Sequence, residues 1–131
     1  MTDLPTALSA EVPATAGSVQ VLRNVAAGVA ARLDMPIDQI EEIRLAVTEA
    51  ASLLLEEAEA TSLQMSIRRD ANAMQVVLSS DGRTDPWPSD RVLSSWSWLV
   101  IKGLSDEVQP DLDDGGAPSI GFTKRRERVG R

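Results

Sequence analysis

The 131-residue chain contains no cysteine and no histidine. Disulfides, zinc sites built from thiolate or imidazole, and every catalytic arrangement that depends on either group are thereby excluded. A direct thiol redox switch is excluded with them. Aromatic residues are scarce: three tryptophans and one phenylalanine. No apolar run approaches the ~20 residues that span a bilayer, and the opening MTDLPTALSAEVPA lacks the basic start and apolar centre of an export signal. A cytoplasmic location is the expectation.

What is present is the composition of a folded domain. With 43% hydrophobic residues, a chain of this length supports a single domain with an ordinary core. The net charge of -7 is unevenly placed: of 20 acidic and 13 basic residues, 124–131 holds one and five, leaving 19 and 8 in the body. An anionic body repels a phosphate backbone and attracts basic protein surfaces. A protein partner is therefore expected rather than nucleic acid or membrane. The basic tail reads as a solvated fringe after a final strand.

Periodicity predicts a strand over 8–12 and a helix over 18–33, with Val21, Leu22, Val25, Ala26 and Val29 as its apolar side. A break at 34–36 precedes a second helix, which opens near Pro36 and Asp38. Leu63, Met65 and Ile67 then alternate with polar residues, and a turn over 70–73 and a strand over 74–78 complete a hairpin. A loop with Asp81, Gly82, Pro86 and Pro88 leads to a third helix over 92–104, and strands over 107–109 and 119–124 flank a turn-rich stretch. Helices beside a mostly antiparallel sheet make an α+β two-layer sandwich.

The second helix carries the most information. Ile40, Ile43, Val47, Ala50 and Leu54 form a buried stripe. Glu49 lies off it, beside Leu45, Ala46, Ser52 and Leu53, where an apolar face meets a polar one. A carboxylate at such a boundary holds a metal, polarises a water or faces solvent, and the last is the commonest. The run Leu45, Ala46, Val47, Thr48, Glu49 resembles the first ATP-binding box of the anti-sigma factor serine kinases, within the gyrase, heat-shock and histidine-kinase type ATPases. That box continues with an asparagine four residues after the glutamate and a histidine four further on; Leu53 and Glu57 stand at those places. Leu104, Asp106, Glu107 and Val108 are similar to the Leu-x-Asp-Glu-Val that follows the family's third helix.

The resemblance covers about 8–124 and implies the fold of that ATPase superfamily and a set of site residues. Glu49 would be the general base or water-orienting group. Ser52, one position before Leu53, is the alternative magnesium ligand. The first glycine box is matched by Ser79, Ser80, Asp81 and Gly82, with Ser80 at the adenine-recognising aspartate; a frame shifted by one puts Asp81 there instead and loses the glycine. The second, Gly-x-Gly-Leu, is matched by Ser95, Trp96, Ser97 and Trp98, so both glycines are serines. A Cβ at each crowds a phosphate cradle. Losing one good polar ligand costs ~1–3 kcal/mol, about 5- to 150-fold in affinity, so Mg-ATP binding is expected to be weak or lost. Trp87, Trp96 and Trp98 surround the implied nucleotide opening and are expected to fill core or cover a partner surface.

The resemblance further implies an anti-sigma factor that sequesters a stress-response or sporulation sigma factor. Arg23 falls where family members place a sigma-binding arginine. Release would come from an antagonist of the sulfate-transporter and anti-sigma-antagonist type (STAS), and a homodimer is expected. An active serine kinase phosphorylating that antagonist is the alternative.

Overall fold

The computed structural model describes residues 6–112 and 115–127, with side chains from residue 8 onward. Strand β1 (Thr6–Pro13) is followed by helices α1 (Ala16–Arg32) and α2 (Ile37–Glu57), then strands β2 (Ser62–Arg69) and β3 (Ala73–Ser80). The short helix α3 (Asp90–Leu93), helix α4 (Trp96–Leu104) and strands β4 (Glu107–Leu112) and β5 (Pro118–Arg125) complete the order. The sheet runs β1-β2-β3-β5-β4 and every neighbouring pair is antiparallel. This is the α+β two-layer arrangement expected from the sequence.

Strand alternation decides where the core sits. Leu63, Met65 and Ile67 of β2, Met74, Val76 and Leu78 of β3, and Ile120 and Phe122 of β5 point to one face and pack with the buried helix residues. Ser9, Glu11, Gln64, Ser66 and Ser79 line a shallow hollow of about 460 Å³ on the strands' other side. The helices therefore cover one face only. The hairpin turn is closed by Asp70, whose Oδ1 accepts from the backbone N–H groups of Asn72 and Ala73 at 2.7 and 2.9 Å.

Helix α2 opens at Pro36 with Asp38 in its first turn, and of the expected stripe Ile43, Val47, Ala50 and Leu54 are fully buried and Ile40 partly so. Helix α1 is capped by Thr15, whose hydroxyl accepts from Ser18 N–H at 3.3 Å, and the reversal into α2 uses Asp34 at φ 57°. Its buried side departs from expectation. Val21 is half exposed and Val25 and Val29 lie at the edge, while Val19, Leu22, Ala26 and Ala30 face the core. Small apolar residues encircle α1, so periodicity alone left its rotation open. The third helix is also corrected: it breaks at Ser94 and Ser95 into α3 and α4, because Ser95 starts a new helix as its N-cap.

Candidate functional site

Helix α4 runs back along α2. At its start, Ser97 Oγ donates to Glu49 Oε1 at 2.6 Å; at its end, Lys124 Nζ donates to the Leu104 carbonyl at 2.6 Å and pairs with Glu42 at 2.6 Å. Arg91 of α3 pairs with Glu57 at the far end of α2. Glu42, Glu49 and Glu57 thus form one stripe of carboxylates spaced seven and eight residues apart, about two helical turns each. Each of the three ties α2 to the α3–α4 segment, the first through Lys124. Between them Ala46, Ala50 and Leu53 share the core with Trp98 and Ile101.

Ser95 is committed at both ends of its hydroxyl, donating to the Val92 carbonyl at 2.7 Å and accepting from Trp98 N–H at 3.1 Å. The first exchange closes the turn after α3, and the second satisfies one of the free donors at the start of α4. Ser97 follows within that first turn. The Glu49 carboxylate is therefore held at the positive end of α4, where an anion is favoured.

The segment after β3 is built differently. Asp81 accepts from the Thr61 hydroxyl and from the backbone N–H groups of Thr61 and Ser62, at 2.8 and 3.1 Å for the latter two. The Thr61 hydroxyl first, then the N–H groups of Ser62 and Thr61, lower its pKa from 3.8 to about 2. Gly82 lies so close to the α2–β2 connection that a Cβ there would come within 2.4 Å of the Glu59 carbonyl oxygen. Its N–H donates to the buried Ser80 hydroxyl at 3.2 Å. These contacts fasten the end of β3 to the start of β2.

The structure thus brings Glu49, Ser95 and Ser97 to one place and Ser80, Asp81 and Gly82 to another, with Asp81 turned to Thr61. Ser52 is half-buried on α2, next in sequence to the buried Leu53. Arg23 lies on α1 outside both groups, with its Nε buried and without a hydrogen-bond partner among the described residues. The tryptophans separate: Trp87 and Trp98 are buried, the former donating to the Ser119 carbonyl at 3.3 Å, and Trp96 is 75% exposed. Glu42, Arg91, Lys124 and Thr61 were not singled out as site residues from the sequence. Their partners lie 19 or more residues away, beyond the reach of local pattern, apart from the mismatch at Glu57 that marked one end of the stripe.

The family model described as histidine kinase-like ATPase domain matches residues 12–118. The chain belongs to this family. No curated protein matches it significantly. In this histidine kinase-like ATPase domain Leu53, where the resemblance places a magnesium-binding asparagine, is 3% exposed in the packed α2–α4 contact. The Ser95 hydroxyl and the Asp81 carboxylate are engaged with the chain's own donors and acceptors, and the Ser97 hydroxyl with Glu49. Among the described residues no cluster of acidic side chains could hold a metal ion, and no helix is long and apolar enough to cross a membrane.

Proposed function

We propose that this domain is a binding module of the anti-sigma type, which withholds a stress-response or sporulation sigma factor until a STAS-type antagonist displaces it, and that it is not an efficient kinase. The observation that carries this reading is the Glu49–Ser97 bond: the general base expected of a kinase and a position expected of the phosphate cradle hold each other at 2.6 Å. Buried Leu53 adds to it by removing the expected magnesium ligand. Sequestration is a matter of surface and survives the loss of that chemistry. Arg23 is the proposed sigma contact, since the planar fork of a half-buried arginine on α1 is suited to bidentate pairing with a carboxylate. The acidic charge of the body suits a basic partner surface. A homodimer and a cytoplasmic location belong to the same reading.

The test is affinity capture from source cells with and without Mg-ATP, with sigma factors identified by mass spectrometry, beside a phosphotransfer assay on the co-captured antagonist. Sigma capture that ignores nucleotide, with no phosphotransfer, is the expected result. The kinase alternative is favoured by retention of Glu49; phosphotransfer abolished by Glu49→Gln would establish it and sink the proposal.

A further inference from the structure

The segment that folds over α2 has two unlike sides. Val92, Trp98 and Ile101 face inward and are buried, while Leu93, Trp96 and Leu99 are 41%, 75% and 55% exposed. These three recur at three-residue intervals across the α3–α4 junction, and Trp96 and Leu99 are neighbours on one helix face. A tryptophan so exposed in a chain with only three is costly surface to leave wet, and tryptophan is among the residues most enriched at binding hot spots. The ridge is also held in place, since Arg91–Glu57 and Ser97–Glu49 fasten the same two helices from beneath. A fixed apolar ridge spares a partner the cost of ordering it.

The charge around the ridge selects the partner. Arg91 brings the Leu93 end of the ridge against the end of α2, where Glu56 and Glu59 are exposed. Asp90 adjoins Arg91 in sequence, and the contacts of Asp81 with Thr61 and of Gly82 with Glu59 bring Asp81 to the same end. Arg91 itself is balanced by Glu57, and the Arg83 guanidinium lies beside Gly116 instead. The rim is therefore anionic at the Leu93 end, while Lys102 is exposed beyond Leu99 at the other. An anionic lipid surface would be repelled by the Leu93 end of the ridge.

We propose that Leu93, Trp96 and Leu99 form the docking ridge for a basic amphipathic helix of a partner protein, with its apolar side on Trp96 and its lysines or arginines over Glu56, Glu59 and Asp90. The proposal deepens the binding-module reading by giving the chemistry of the segment taken up, and it rests on that reading. Its test uses a defined probe, so failure to capture a sigma factor and failure of the ridge are distinguishable.

Trp96 reports directly, because Trp87 and Trp98 are buried and Trp96 supplies the solvent-exposed emission. The full chain is titrated with a labelled amphipathic leucine/lysine helical peptide free of aromatic residues, and with its leucine/glutamate counterpart. The leucine/lysine peptide is expected to blue-shift the emission and shield it from acrylamide, and the glutamate version to do neither. Trp96→Ala is expected to weaken the labelled peptide's affinity by ~30-fold or more. Glu56→Gln with Glu59→Gln should weaken it severalfold and flatten its salt dependence, while Val21→Ser on α1 leaves it unchanged. Equal binding of both peptides, or binding indifferent to Trp96→Ala, overturns the proposal. So does a dimer that Trp96→Ala dissolves in sedimentation, which would make the ridge a self-interface. If Trp96→Ala melts early, the shielding of Trp96 in the unaltered chain decides alone.

Discussion

Removing the Glu49–Ser97 bond is the sharpest perturbation of the α2–α4 contact, because a catalytic and a structural role for Glu49 predict different outcomes. The bond is 2.6 Å long and joins a hydroxyl donor to a carboxylate. Hydrogen bonds to charged groups contribute ~1.5–3 kcal/mol net, and both residues are only half-buried, which places this one at about 1 kcal/mol. Ser97→Ala and Glu49→Ala should each destabilise by at least that amount. The double variant should cost less than the sum, leaving a coupling energy of ~1 kcal/mol. Glu49→Gln should be milder than Glu49→Ala, since the amide oxygen still accepts from Ser97.

Urea unfolding of the four proteins, followed by far-UV circular dichroism, measures the cycle. For a chain of this size ~1 kcal/mol corresponds to about 4 °C in Tm, so thermal melting is an adequate second readout. A coupling within the ~0.3–0.5 kcal/mol expected of independent sites would refute the reasoning. The same result joined to phosphotransfer that Glu49→Gln abolishes would return Glu49 to the kinase role.

Arg91→Ala should cost ~1 kcal/mol or more, since Glu57, whose side chain is only 10% exposed, keeps its charge and loses its partner; amide hydrogen exchange should quicken in α3 and leave the sheet unchanged. Gly82→Ala places a Cβ against the Glu59 carbonyl and should destabilise by ~1–3 kcal/mol, read as a lower urea midpoint at unchanged slope. The Asp81 carboxyl has its folded pKa depressed, so its stabilisation is full above pH 3.8 and is lost as pH falls toward about 2. Asp81→Asn should erase that part of the acid dependence, and an unaltered stability profile between pH 4 and 2 would contradict the assignment. Leu53→Asn should lower stability without conferring Mg-ATP binding in calorimetry, because the serines and Glu49 stay engaged with one another.

The fold was legible where burial has one sided periodicity. Leu63, Met65 and Ile67 alternate because the helices cover one face of the sheet, and Ile43, Val47, Ala50 and Leu54 repeat because α2 lies on that face. Helix α1 was legible as a helix but not in its rotation, since Val21 and Val19 are equally apolar and only the position of α2 distinguishes them. The break at Ser94 and Ser95 was masked by the apolar residues on either side, although serine before a helical run is an N-cap signal. At the site, Glu49 was identified by its place between faces, but its bond to Ser97 spans 48 residues and follows from how α4 packs. Asp81 was ambiguous between two frames as a local motif. Its contact with Thr61 across the sheet gives it a structural use that neither frame contains.

The altered positions act together rather than as separate losses. Leucine at position 53 puts an apolar side chain between α2 and α4, and the helices close on it with Trp98 and Ile101 in the shared core. That closure brings Ser97 within reach of Glu49 and Lys124 within reach of Glu42. Serine at position 95 then starts α4 by capping it, where a glycine would supply no side-chain acceptor. Restoring one element should therefore not restore nucleotide chemistry, because each remaining contact still holds α4 against α2. Reversal requires Leu53→Asn, Ser95→Gly and Ser97→Gly at once, and Mg-ATP binding by that triple variant should exceed what the single changes sum to. Binding gained in full from any one of them would show that the elements are independent and that α4 is not fixed by the stripe of glutamates beneath it.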